Sequence, residues 1–81
     1  MNYEDKVLNI GLFCRNFRVM VLHKKLREFE TKTNIKTLSA FEHGRSTNMK
    51  HMFTYIDNCD TSEQRLFMIK ELIDIVGENN D

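Results

Sequence analysis

The 81-residue chain has no proline and only three glycines. That scarcity argues against a loop-rich sandwich or barrel and for helices joined by short turns. It has only two cysteines, Cys14 and Cys59, far apart and without a CxxC pair. A zinc site would need His23, His43 or His51 to converge on them, so no metal is expected. Both cysteines sit among apolar neighbours and read as buried free thiols, which suits a reducing cytoplasm. No apolar run approaches the length of a membrane span, and the first ten residues lack the basic and apolar regions of a signal peptide. The expectation is a cytoplasmic protein with no membrane partner.

Catalytic motifs are missing as well. The chain contains no phosphate-binding glycine loop, no GxSxG and no HExxH. His43 and His51 read as surface groups, and nothing orients Cys14 and His23 as a nucleophile and base. No catalytic residue and no cofactor is expected, and the chain does not read as an enzyme.

What is present is apolar periodicity and an uneven charge. Residues 1–57 carry ten Lys and Arg against six Asp and Glu, a balance of +4, and residues 58–81 carry two against six, a balance of −4. A basic front and an acidic back fit a protein that offers one face to phosphate and another to something else.

The spacing of apolar residues predicts five helices in one domain covering 1–81, with a core region at 10–57 and a C-terminal helix at about 61–76. The first, at about 4–18, carries Val7, Ile10, Phe13, Cys14 and Phe17, with Gly11 permitting a close helix contact. The second, at about 22–31, carries Leu22, Leu26 and Phe29 but has no Ser, Thr, Asp or Asn before it. The third, at about 35–43, is capped by Asn34, turns Leu38 and Phe41 inward and stops at Gly44. The fourth carries Met49, Met52, Phe53 and Ile56. The fifth opens on Asp60-Thr61-Ser62-Glu63, a capping-box pattern, and ends at Gly77. The expected core is Phe13, Phe17, Leu26, Phe29, Leu38, Phe41, Met52, Phe53 and Ile56. On the fifth helix, Leu66, Ile69, Ile73 and Val76 form the stripe expected to complete that core. Phe67, Leu72 and Ile75 are left over as a homodimer seam.

The stretch Leu26 to Ser46 reads LREFETKTNIKTLSAFEHGRS. It resembles the helix-turn-helix of Cro/CI-type repressors, the xenobiotic-response-element family. Leu26 and Glu28 match that family's scaffold helix, Thr33-Asn34 its turn, and Thr37 to Gly44 (TLSAFEHG) its recognition helix. Upstream, Arg15-Asn16-Phe17-Arg18 matches the Arg-x-apolar-Arg of its first helix. The sequence departs from the pattern at Leu22, where a capping residue is usual, at His23, where glutamine is usual, and at Glu30-Thr31-Lys32, where a single glycine is common.

The resemblance implies a compact all-α, lambda-repressor-like five-helix bundle that regulates transcription by binding double-stranded DNA, as a small repressor of phage type. It implies that helix 35–43 enters the major groove, with Ile35, Lys36, Ser39 and Ala40 facing bases. His23, Asn34, Arg45, Ser46 and Lys50 would meet phosphates, and Arg18 would pair with Glu42 to tie the recognition helix to the first. Lys36 is the one strong donor in the base-facing set. That leaves a second reading open, an antirepressor-like protein that uses the same fold to bind and inhibit a protein partner.

Overall fold

The computed structural model describes residues 2–78. Among them there are four α-helices and no strand, not the five helices expected. Among the described residues no helix is long and apolar enough to cross a membrane.

Helix α1 spans Tyr3–Phe17. The Asn2 side chain accepts from the Asp5 amide at 2.8 Å, and Glu4 and Asp5 put negative charge at the positive end of the helix dipole. Val7, Ile10, Gly11, Cys14 and Phe17 form its buried face. A Cβ on Gly11 would collide with the carbonyl oxygen of Phe41, so glycine lets α1 lie directly on the end of the next helix. The helix then widens into a π-helical turn, Arg18–Leu22, and stops at His23, which is left-handed (φ 54°).

The expected second helix at 22–31 does not form. Lys25 and Phe29 are extended, and between them lies a single 3-10 turn, Leu26–Glu28. The cause is local. With no cap before Leu22, α1 overruns the boundary, and the carboxylate of Glu28 folds back to the Lys25 amide at 2.9 Å. Leu22 and Phe29 still reach the core and Leu26 packs partly against it, so the apolar spacing is satisfied without a helix. Asn58 supplies what the missing helix would have provided. Its amide accepts from the Glu30 N–H at 2.8 Å and donates to the Glu30 carbonyl at 3.2 Å. Lys24 adds bonds to the Asn58 carbonyl at 2.9 Å and to Asp60 at 2.8 Å.

Helix α2 spans Ile35–Glu42 and ends in a Schellman turn. The Gly44 amide donates to the Phe41 carbonyl at 3.1 Å and the Arg45 amide to the Ala40 carbonyl at 2.9 Å. Gly44 provides the left-handed residue (φ 73°) that this turn requires. Helix α3, His51–Asp57, is short and turns His51 and Tyr55 inward. Its phase differs from the expected one: Phe53 is 61% exposed, while Tyr55 is fully buried.

Helix α4 spans Ser62–Gly77. Its capping box begins one residue later than the sequence pattern suggested. The Thr61 hydroxyl accepts from the Gln64 amide at 3.1 Å, and the Gln64 side chain accepts from the Asp60 and Thr61 amides at 2.8 and 3.3 Å. Its inward face is Met68 and Leu72, with Ile75 half-buried, not the stripe of Leu66, Ile69, Ile73 and Val76. Two apolar stripes run along this helix, and periodicity alone does not choose between them. The Met68 sulfur meets the Cys59 thiol at 4.0 Å, and Lys6 of α1 donates to the Val76 carbonyl at 2.8 Å. These contacts fix the rotation of α4, and Lys6 adds a cation at the negative end of its dipole. One core joins all four helices, with Leu38, Phe41, Tyr55, Met68 and Cys14 wholly enclosed.

Candidate nucleic-acid interface

The candidate interface is built around α2. Asn34 caps it by accepting from the Lys36 amide at 2.7 Å, and Leu38 and Phe41 turn inward without solvent exposure. That rotation leaves Ile35, Lys36 and Thr37 exposed and Ser39 and Ala40 half-buried. Lys36, Ser39 and Ala40 thus lie on the side of α2 away from Leu38 and Phe41, Ile35 sits one turn before Leu38 at the open start of the helix, and Ile35 and Lys36 are the more exposed of the four.

The base of α2 is held by a buried ionic cluster. Arg18 donates through Nε and Nη2 to the two oxygens of Glu42, each at 2.8 Å. Tyr55 donates its hydroxyl to Glu42 Oε2 at 2.6 Å. Glu42 is 4% exposed, so these three bonds take the place of the water its carboxylate has lost. The third branch of the guanidinium donates to the Lys24 carbonyl at 2.9 Å. One arginine thereby connects α1, α2 and the segment that replaces the second helix. The hydrogen bond to Glu42 raises the Arg18 pKa, against an opposing effect of burial. Burial, followed by the bond to Glu42, pushes the Tyr55 phenol well above its ordinary value. Burial, followed by the nearby Glu42 charge, does the same to the Cys14 thiol.

Tyr55 was not singled out by the sequence. Its signal is weak, the i, i+4 spacing with His51 on the inward face of α3. His51 is also buried rather than on the surface, with its ring edge-on to Phe41 at 5.5 Å between centroids. His43 is exposed, its ring nitrogen 2.8 Å from the Ser39 carbonyl.

The expected phosphate contacts separate into two groups. Arg45 and Lys50 are exposed and flank the turn after α2. Ser46 is half-buried and accepts from the Asn48 amide at 3.3 Å, while Asn48 accepts from the Lys50 amide at 3.1 Å. These bonds order the turn that carries the two cations. His23 is exposed, but it ends a helix and does not begin one, so it has no helix N-terminus through which to hold a phosphate. Away from α2, Glu28, Glu30, Asp57 and Asp60 line a polar hollow with Lys24, a surface that repels phosphate.

The expected dimer seam is not continuous. Leu72 is in the core, Ile75 is half-buried, and Phe67 stacks on Phe17 at 6.0 Å with the rings 17° apart. Both cysteines are buried and free, and among the described residues no group of three or more His, Cys, Asp or Glu is placed to hold a metal ion.

No protein-family model, curated protein or solved structure matches this chain.

Proposed function

We propose that the protein is a double-stranded-DNA-binding transcriptional regulator of the helix-turn-helix type, with α2 as the helix that enters the major groove. The observation that carries this reading is the mounting of α2. A short, capped helix is clamped at its base by Arg18, Glu42 and Tyr55, while Ile35 and Lys36 at its start take no part in the core. Such a helix presents its N-terminal side chains to base edges, and Arg45 and Lys50 in the following turn suit phosphate oxygens. Lys36 suits guanine O6 and N7, and Ile35 and Ala40 suit thymine methyl groups. The segment before α2 acts as a pinned loop in place of a scaffold helix.

The test is binding to duplex DNA from the region flanking the gene, measured by fluorescence anisotropy over a range of salt. Affinity that falls steeply with salt supports the proposal, and a folded protein that ignores duplex DNA at low salt removes it.

One observation favours the second reading, inhibition of a protein partner. The scaffold helix that crosses the DNA backbone in helix-turn-helix proteins is reduced here to the single turn Leu26–Glu28. Under that reading the same α2 face contacts a protein, and binding shows only a shallow salt dependence.

A further inference from the structure

The rotation of α4 leaves a row of large apolar side chains uncovered. Leu66 is 67% exposed, Ile69 38%, Ile73 63% and Val76 50%. The row borders an open apolar groove of about 470 Å³ between α3 and α4, whose other wall is Met52, Phe53 and Ile56. Phe53 is itself 61% exposed. Together these five residues leave on the order of 500 Å² of largely apolar surface open, at the upper end for a soluble monomer and more than half of the ~800 Å² that each partner contributes to a stable interface.

We infer that this face pairs with a second copy of the chain, α4 against α4 in antiparallel orientation. The order of the residues selects that occupant. Leu66, Ile69, Ile73 and Val76 are spaced three, four and three apart, so the row reads the same from either end. A two-fold axis level with position 71 sets Leu66 opposite Val76 of the second copy and Ile69 opposite Ile73. Each row then lies beside the Phe53 wall of the other copy's groove. Gly77 carries no side chain and has open space beyond it, so this end of the groove stays clear for Leu66 of the other copy. The rim is complementary too. Lys70 and Asp74 lie on one edge of the row, and the same axis brings Lys70 of each copy within about two residues, some ~3 Å along the helix, of the level of Asp74 of the other. An isologous contact of this kind closes on itself and stops at two.

The face is independent of the DNA reading. Helix α4 packs mainly on α1 and α3, and α2 packs mainly on α1 and the 3-10 turn, so pairing through α4 does not use the outer side of α2.

Sedimentation equilibrium at tens of micromolar, without DNA, tests the pairing. The wild type is expected at dimer mass with a melting temperature that rises with protein concentration, and Ile73→Glu at monomer mass with an unchanged circular dichroism spectrum and a melt that no longer depends on concentration, because Ile73 contributes little to the core. A second measurement does not depend on that variant folding. Reduced Ile69→Cys and Ile73→Cys chains are oxidised separately and, in a parallel sample, after being mixed while still reduced. Antiparallel pairing makes the mixture cross-link several-fold faster than either chain alone, while the buried Cys14 and Cys59 stay out of the reaction. A monomeric wild type, assemblies larger than a dimer, a folded Ile73→Glu that stays dimeric, or equal cross-linking in mixed and unmixed samples overturns the inference. Duplex binding is scored separately, so a failure of either proposal is distinguishable from a failure of the other.

Discussion

The hydroxyl of Tyr55 lies 2.6 Å from Glu42 Oε2, the oxygen that also accepts from Arg18 Nε at 2.8 Å. Two donors from different elements therefore share one oxygen of a carboxylate that has almost no access to water.

Removing that carboxylate leaves an arginine and a phenol without their acceptor. Glu42→Ala is expected to lose about 3–5 kcal/mol, the cost of breaking one side of a buried pair. Tyr55→Phe leaves the ion pair intact and is expected to lose about 1.5–3 kcal/mol, as for a hydrogen bond to a charged group. Urea unfolding of both variants checks the order. Equal losses would mean that the hydroxyl contributes as much as the whole cluster.

Alkali should unfold the protein early. The Cys14 thiol is raised from an ordinary value of 9.0, and the Tyr55 phenol from 10.0. Above about pH 9 for the thiol and pH 10 for the phenol, the unfolded chain releases these protons while the folded chain keeps them. Stability is therefore fully present below pH 9 and falls as pH rises, by up to about 1.4 kcal/mol per pH unit for each group. Thermal melts from pH 7 to 11 should show the decline, and Cys14→Ala with Tyr55→Phe should flatten it.

Gly11→Ala reverses an ordinary rule. In an exposed helix interior the change would stabilise by about 1 kcal/mol. Here the new methyl meets the Phe41 carbonyl and forces α1 and α2 apart, with an expected loss of about 1–3 kcal/mol. A variant that melts above the wild type would show that the contact yields easily.

Asn58→Ala removes the bonds that hold the Glu30 backbone. Its cost of about 1–3 kcal/mol should fall mainly on the segment 23–34. Limited trypsin digestion is expected to cut after Lys25 or Arg27 well before the helices are attacked. Unchanged cleavage would place the restraint on this segment elsewhere.

For DNA, Lys36→Ala should relax preference at one base position. Arg45→Ala and Lys50→Ala should weaken binding to every duplex and reduce the salt slope by roughly one unit each. Circular dichroism of each variant separates loss of contact from loss of fold.

Much of α2 was legible in the sequence. Asn34 and Gly44 act through local backbone chemistry, and the pairing of Arg18 with Glu42, 24 positions apart, followed from a motif resemblance. The second helix was misread because Leu22, Leu26 and Phe29 have helical spacing, yet a π turn, a left-handed His23 and a 3-10 turn deliver two of them to the core and the third to its edge. The roles of Tyr55 and Asn58 were not legible. Each depends on a partner that folding brings from far along the chain, Glu42 in one case and Glu30 in the other. On α4 two stripes fitted the helical period equally well. Lys6 and Cys59, which bear on the choice, belong to other parts of the chain.

The attachment of α2 is lopsided. Phe41, Glu42 and the Gly44 turn hold its last residues, Leu38 is the first side chain to enter the core, and Ile35, Lys36 and Thr37 form an open first turn held by the Asn34 cap. The helix is a peg seated at its base. The tip can therefore be rewritten without loosening the seat: under the DNA-binding proposal, substitutions at 35–37 should alter which duplex is preferred while leaving the melting temperature nearly fixed. If that proposal holds, a lineage carrying this chain could change its target in single steps, each of them nearly neutral to folding.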